Sequence, residues 1–569
     1  MAKVIIDPVT RIEGHLRIEA IVEGGEVREA FSSGTMFRGM ELILQGRDPR
    51  EAWLWAQRIC GVCTTVHALA SVRAVEDALG IEIPPNARLI RSIIAGAQHI
   101  QDHVIHFYHL HALDWVDVAK ALEADPAATA RLAGSISDWP TGSTGNFKQV
   151  KDRVATLVAS GQLSLFASGY WGHPAYQLPA EANLLAVAHY LEALEWQRDV
   201  IRIHAVLGGK NPHPQTYLVG GMASAVDPAS PEVINLERVG FLRERVQAMR
   251  AFVEQVYVPD LKAIAGFYPE WFALGAGHRN YLSYGDAPAG SIHDTGSYAF
   301  PRGIILGGDL RTVHPFDQTK VTESIARSYY DYSGGKEEVR HPWNGETKPN
   351  YTGPTPPFEE LTTDAEYSWL KAPRYDGKVM EVGPLARVLV AYASGSPRIR
   401  SLVDGTLAEL GLPATALFST LGRVAARALE TVYLLDLMDG WLDELTANMG
   451  SGDLRVHDGT RWDPSTWPAE AEGWGHHEAP RGSLGHWVRI KDRKVANYQA
   501  VVPSTWNAGP RDLQGQTGPY EAALVGTPVA DPERPLEILR TIHSFDPCLA
   551  CAVHVIDATG RERSRVQVH

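Results

Sequence analysis

Four cysteines make up the whole thiol content of this 569-residue chain, and they fall as two Cys-x-x-Cys pairs at opposite ends. Cys60 and Cys63 stand in RICGVCTTVH; Cys548 and Cys551 stand in FDPCLACAVH. Two thiolates three residues apart can reach one metal from a helical turn or a tight loop. If both pairs serve one metal, the start of the fold must be tied to its end. A span this long makes such a site the centre of a domain, not a staple in a small ribbon. Four cysteines in so long a chain do not build a disulfide scaffold. The open choices are a redox dithiol, a zinc site, or a site for copper(I), clustered iron or nickel. Spacing alone leaves zinc in front. A single pair would more simply be two buried thiols.

The rest of the chain is helix-rich. VIIDPVT and LRIEAIVEGGEV alternate apolar and polar residues and turn at Gly24–Gly25, which predicts strands over residues 1–30. A helix starting near Asp48–Pro49 and interrupted at Gly61 is expected over 49–80. Apolar residues recur every three or four positions over 87–124, 181–207, 231–266 and 414–449. Lengths of this order imply a central bundle of long helices. Residues 268–400, rich in Gly, Pro, Tyr and Asp, read as strands and long loops packed on that bundle; 484–530 read as strand and turn, and a short helix around EILRTIHSF leads into the second pair. The expected class is α+β, mainly α, with peripheral strands. No repeat, low-complexity tract or flexible linker stands out, so one large compact domain with insertions is expected.

Bulk properties narrow the partners. A formal net charge of -14 argues against nucleic acid or an anionic membrane surface. Fifteen tryptophans and twenty tyrosines suit large packed surfaces, a subunit interface among them. The most apolar stretches are too short and too polar to cross a bilayer. MAKVIIDPVTRIEG lacks the apolar run of a signal peptide. Alone, the chain would stay in the cytoplasm; a partner bearing an export signal would take it elsewhere.

Flanking sequence decides between the metals. RIEGHLRIEA, RICGVCTTVHALASVRAVEDALG and DPCLACAVHV together resemble the large subunit of nickel–iron hydrogenases. The resemblance runs the full length and includes GTMFRGME, DHVIHFYHLHALDWVD, FASGYWGHPAY, EAPRGSLGHW and NYQAVVPSTWNAGPRD. It looks nearest to the membrane-associated, respiratory uptake branch.

The resemblance implies that Cys60 and Cys548 bind nickel terminally, while Cys63 and Cys551 bridge nickel to an iron carrying two cyanides and one carbon monoxide. Four thiolates put electron density on nickel and can act as bases, so H2 can be split heterolytically. Glu13 matches the family's proton-transfer glutamate; taken alone it reads as a strand-end carboxylate paired with Arg11 or Arg17. Arg481, after Pro480, matches the arginine suspended over the metals, with Asp102 and Asp546 as the carboxylates that hold it. Pro503 and Ser504 match residues around the other cyanide, and His67 could donate to a thiolate. Glu41, the Ala500 carbonyl and His554 match a magnesium-type site, where a histidine ligand leaves iron or another divalent ion open.

The resemblance also implies partners. A dedicated protease would cut after His554 once nickel is inserted, removing Val555–His569 and leaving a mature 1–554 domain. With no cysteine to spare for an iron–sulfur cluster, electrons must leave through an iron–sulfur small subunit. The pair would be a heterodimer, or a dimer of heterodimers, delivering electrons to a membrane quinone-reducing protein. The small subunit would carry a twin-arginine signal and bring the folded pair to the periplasmic side of the membrane. Three alternative readings stand beside this one. The quinone-site subunit of respiratory complex I shares the fold but lacks the two pairs. A structural zinc protein would contain zinc alone. A hydrogen sensor would usually lack both export and the cleaved tail.

Overall fold

The computed structural model describes residues 2–161, 166–354 and 360–549. Cys551 and His554, with the expected cut after His554, lie outside the described residues.

The chain opens with the expected antiparallel meander of β1 (Ala2–Ile6), β2 (Leu16–Glu23) and β3 (Glu26–Gly34). Gly24 and Gly25 both take positive φ (65° and 80°) and make the tight turn between β2 and β3. Helix α1 (Val66–Leu79) starts just after the first cysteine pair and ends on a left-handed Gly80. The bundle itself is formed by α2 (Pro85–Ile105), α3 (Ala180–Gly208), α4 (Leu236–Phe252) and α5 (Thr420–Ser451). Side-chain caps fix two of their starts: Asn235 accepts from Arg238 N, and Ser419 accepts from Gly422 N. The C-terminal meander comprises β4 (Glu470–Ala479), β5 (Gly482–Lys491) and β6 (Lys494–Val501). Helix α6 (Leu536–Ser544) follows.

Two expectations need correction. The helix expected over 87–124 does not run through: α2 passes into a π-turn at His106–His111 and a 3-10 turn at Ala112–Asp114. Three histidines and an aspartate in HFYHLHALD bind polar partners that a straight helix would not reach. The 268–400 region contains the helix Pro384–Ala393 besides its short strands, and a second helix, Pro397–Leu410, begins at its end. Each starts with proline at its first turn, a position that suits proline but reads as a breaker in sequence. Two further helices, Pro126–Ile136 and Thr144–Ala159, add to the expected set.

Two contacts position the site. The first is α1 lying on β4. A Cβ on Gly473 would come 2.1 Å from Ala74 O, and one on Gly475 would come 2.0 Å from Ala70 O. These glycines alternate along one face of the strand, so the helix backbone sits directly on it. The second is α6 against the N-terminal sheet. Ile538, Leu539 and Ile542 share one buried cluster with Val4, Leu16, Ile18 and Ala20. At ~25 cal/mol per Å² of apolar surface, each such side chain contributes about 1.5–3 kcal/mol. This cluster holds the segment that leads into Cys548, which reaches the first pair.

Candidate metal centre

Cys60, Cys63 and Cys548 converge in the interior. Their Sγ atoms lie within 4.8 Å of one another, and the residues are 2%, 4% and 1% exposed. The Cys60–Cys548 sulfur distance is 3.5 Å and the Cys63–Cys548 distance is 4.0 Å, far beyond a disulfide bond. Among the described residues this is the one group of Cys, His, Asp or Glu side chains placed to share a metal. Cys63 N donates to Cys60 Sγ (3.3 Å), which fixes the tight loop, and Cys548 N donates to Ser504 Oγ (2.9 Å). The second strap is pinned at the N-terminus: Glu13 and Cys548 form a parallel β-bridge, with Leu549 N donating to Glu13 O (2.6 Å).

Over the sulfurs stands Arg481, at the tip of the β4–β5 hairpin. Its Nη1 donates to Asp102 Oδ2 (3.1 Å), and its Nη2 pairs with Asp546 Oδ1 (3.0 Å). Its Nε is buried and has no acceptor among the described residues. The adjoining gap is walled by Cys63, Val66, His67, Pro480, Pro503, Ser504 and Cys548. Burial pushes the Asp102 carboxyl up to about 7; Arg481 pulls against this and Asp546 adds to it. The carboxylate stays oriented, because Oδ1 accepts from Gln98 Nε2 (2.6 Å).

Glu13 lies on the side facing solvent. It lines a cavity of about 290 Å³ together with Val62, Gln98, Asp102, Asn211 and Arg481. Burial raises its pKa and the neighbouring Cys60 adds to this, while Arg481 and Arg38 oppose it. Arg11 and Arg17 find other partners, Asp114 for the first and Asp7 and Glu19 for the second. The plain strand-end pairing is therefore not their main use. His67 is buried and held down to about 4 by burial, so its ring is neutral; Nδ1 meets His486 Nε2 at 3.0 Å.

The donor set fits a soft metal: buried sulfurs, largely apolar walls, and the Arg481 guanidinium beside them with its Nε unused among the described residues. Residues 38–554 match the nickel-dependent hydrogenase family, and residues 3–33 match a HoxL-like family. The chain belongs to the nickel-dependent hydrogenase family. It is 50% identical to the uptake hydrogenase large subunit of Rhizobium leguminosarum bv. viciae, covering 100% of this chain and 97% of the relative. The Hydrogenase-1 large chain of Escherichia coli K12 is 47% identical over the same shares. Among solved structures, the reduced Ni-Fe-Se hydrogenase of Desulfovibrio vulgaris Hildenborough superposes with TM-score 0.76 at 36% identity, covering 97% of this chain and 100% of that one. The reduced, active Ni-Fe-Se hydrogenase of Desulfomicrobium baculatum gives 0.76 at 34% identity, over the same shares.

This hydrogenase large subunit is thus the catalytic subunit of an oxidoreductase acting on H2, built for a nickel–iron centre and paired with a small subunit. No helix among the described residues is long and apolar enough to cross a membrane.

Sequence reasoning brought Cys60, Cys63, Cys548, Arg481, Asp102, Asp546, Glu13, His67, Pro480, Pro503 and Ser504 to one place, and they are together. Glu41 and Ala500 also meet, away from the sulfurs: Ala500 N donates to Glu41 Oε1 (3.0 Å), and Thr347 Oγ1 donates to Oε2. Glu41 belongs to a buried polar group with Glu323, Lys371 and Gln499. Sequence reasoning missed Arg387, wholly buried on the Pro384–Ala393 helix. It donates to Glu430, to Glu478, and to the carbonyls of Ala479 (2.7 Å) and Pro480 (3.2 Å) just before Arg481. The signal was an arginine within an otherwise apolar helical run, PLARVLVAYA.

Proposed function

We propose that this hydrogenase works in the uptake direction, oxidising H2 and passing electrons through an iron–sulfur small subunit and a membrane partner to quinone. Cys60, Cys63, Cys548 and Cys551 would supply the thiolates that hold the nickel–iron centre, whose iron would carry two cyanides and one carbon monoxide. When bound, that centre supplies the polarising metal pair and the electron sink for heterolytic cleavage of H2.

The protein's own groups handle the proton and the orientation. Cys548 Sγ would take the proton, and the Glu13 carboxylate, whose backbone is bridged to that of Cys548, would pass it on towards the 290 Å³ cavity that it lines. A raised pKa suits this step, because the carboxylate then binds the proton without holding it against release. Arg481, fixed by Asp102 and Asp546, and the Ser504 hydroxyl would offer donors to the cyanides. Val66, Leu484 and the two prolines keep water from the sulfurs. His67 acts as a neutral neighbour of Cys63.

A magnesium or iron ion would sit on Glu41, the Ala500 carbonyl and His554, near the end of the mature chain. The family match ends at His554, which supports removal of Val555–His569 by a maturation protease and a single 1–554 domain. Leu42, Ile43, Leu54, Trp55 and Val62 remain exposed on the segments around Cys60, an apolar surface that suits docking of the small subunit. Export with that subunit would place the pair on the periplasmic side of the membrane.

The observation that carries the reading is the convergence of three buried thiols beneath Arg481, with Glu13 strapped to Cys548. The test is H2-dependent dye reduction by the purified heterodimer, with nickel and iron measured, against Cys548→Ser. The expected outcome is loss of activity with loss of nickel. Equal activity and nickel in both would remove Cys548 from the ligand set.

A further inference from the structure

Two residues in the left-handed backbone region flank the contact between Glu13 and Cys548. Arg11 (φ 56°) lies two residues before Glu13, and Asp546 (φ 57°) lies two before Cys548. Side chains with a Cβ crowd the backbone in this conformation and keep it only where the surroundings hold them.

One buried carboxylate holds both straps. Asp114 Oδ1 accepts from Arg11 Nη2 (2.5 Å), and Oδ2 accepts from His543 Nδ1 (2.6 Å). Arg11 Nη1 donates to Leu110 O (2.7 Å), and His543 Nε2 donates to Thr10 O (2.9 Å). Both partners of the His543 ring are acceptors, so both ring nitrogens donate. Arg540 Nε donates to the Asp114 carbonyl (2.8 Å), and Asp546 N donates to the His543 carbonyl (2.9 Å). The network therefore runs from Thr10–Arg11 through Asp114 to Arg540 and His543, and on to Asp546. Asp114 is 0% exposed. Burial alone would raise its pKa, but Arg11 and His543 outweigh it and hold the carboxyl well below the usual range. The carboxylate is thus a fixed charge, placed at the break in α2 where the π-turn and 3-10 turn aim it away from the helix axis.

We propose that Asp114 is a positioning residue for proton transfer: through Arg11 and His543 it sets the distance between the Glu13 carboxylate and the Cys548 sulfur. The proposal rests on Glu13 being the proton acceptor. Asp114 touches neither the metal ligands nor Glu13 in this scheme; it acts through the two straps. Displacement by about 1 Å at such a distance can cost on the order of 100-fold in rate.

The test uses the intact heterodimer carrying Asp114→Asn, which keeps the shape and removes the charge. Amide exchange in residues 9–16 and 543–549 is expected to speed up by about tenfold or more, since local opening tracks the contacts that hold a segment. The kcat per nickel is expected to fall roughly 10- to 100-fold, with KM for H2 little changed. The solvent isotope effect on kcat should rise, because proton transfer becomes the slow step. A purely structural role would lower nickel content but leave kcat per nickel and the isotope effect at wild-type values, and that result overturns the proposal. If Asp114→Asn does not assemble, Arg11→Lys keeps the charge, gives up the second donor, and is read in the same way. Glu13→Gln separates the two readings. Full activity in Glu13→Gln sinks the proton-acceptor reading. An inactive Glu13→Gln beside an Asp114→Asn enzyme with wild-type exchange and kcat sinks this proposal alone.

Discussion

Replacing Arg387 with methionine separates stability from catalysis in one residue. All five N–H donors of Arg387 are used: two on Glu430, one on Glu478, and one each on the Ala479 and Pro480 carbonyls. Glu430 and Glu478 are 0% and 2% exposed. Arg387→Met leaves both carboxylates without their cation, and breaking a buried pair in this way costs about 3–5 kcal/mol. For a chain of this size the unfolding entropy is on the order of 1.2 kcal/mol/K, so the melting temperature should fall by only about 3–4 °C. Activity should suffer more. The two carbonyls lost from the network belong to the hairpin tip that carries Arg481, and a shift of about 1 Å there is worth on the order of 100-fold. The assays are scanning calorimetry and H2-dependent dye reduction on the same heterodimer. The control is Arg387→Met combined with Glu430→Gln, which removes a stranded charge but returns no donor to the hairpin. Stability should recover in part while activity stays low. Recovery of both, or unchanged activity in the single variant, would refute the argument. The effect also has a pH signature. Burial alone would raise Glu430, but Arg387 outweighs it and holds the carboxyl at about 2. A depressed carboxylate contributes stability that is fully present above its unfolded value of 4.5 and lost as pH falls towards 2. The stability gap between wild type and Arg387→Met should therefore narrow between those two pH values.

Glu13→Gln should lower kcat by about 10²–10⁴-fold with nickel content unchanged. Since burial raises the Glu13 pKa, the charged form opposes folding at neutral pH, so the variant should melt no lower than wild type; a lower melting temperature would show a structural role instead. Gly475→Ala would drive a Cβ to 2.0 Å from Ala70 O, and with backbone on both sides the helix must move. A loss of 1–3 kcal/mol or more is expected, with lowered nickel content because α1 begins beside Cys63, and a wild-type melting curve would show that the strand can yield.

The sequence carried the chemistry further than the shape. Cys60, Cys63 and Cys548 were legible because thiolate pairs at that spacing have few uses, and their flanks chose among those uses. The long helices α3, α4 and α5 were legible from period alone. The end of α2 was not. HFYHLHALD keeps apolar residues at helical spacing while its histidines and Asp114 take partners at the far end of the chain: His543 for Asp114, and the carbonyls of Arg540 and His543 for His111 and His106. Such long-range polar demands leave no periodic trace. Arg387 escaped for a related reason. An arginine in an apolar run reads as a helix end or a snorkelling side chain, and only the fold reveals two glutamates and two carbonyls around it.

The separation of the two cysteine pairs follows from how the ends dock. Closing a loop of several hundred residues costs little more than closing a shorter one, because the entropy grows only with the logarithm of length, about 0.6 kcal/mol per doubling. Cys548 is held in place by the apolar cluster that α6 shares with β1 and β2, together with the polar Asp114–His543–Arg11 link. The thiols then meet as a consequence of packing, and strain at Arg11 and Asp546 is retained because the surrounding contacts over-determine it.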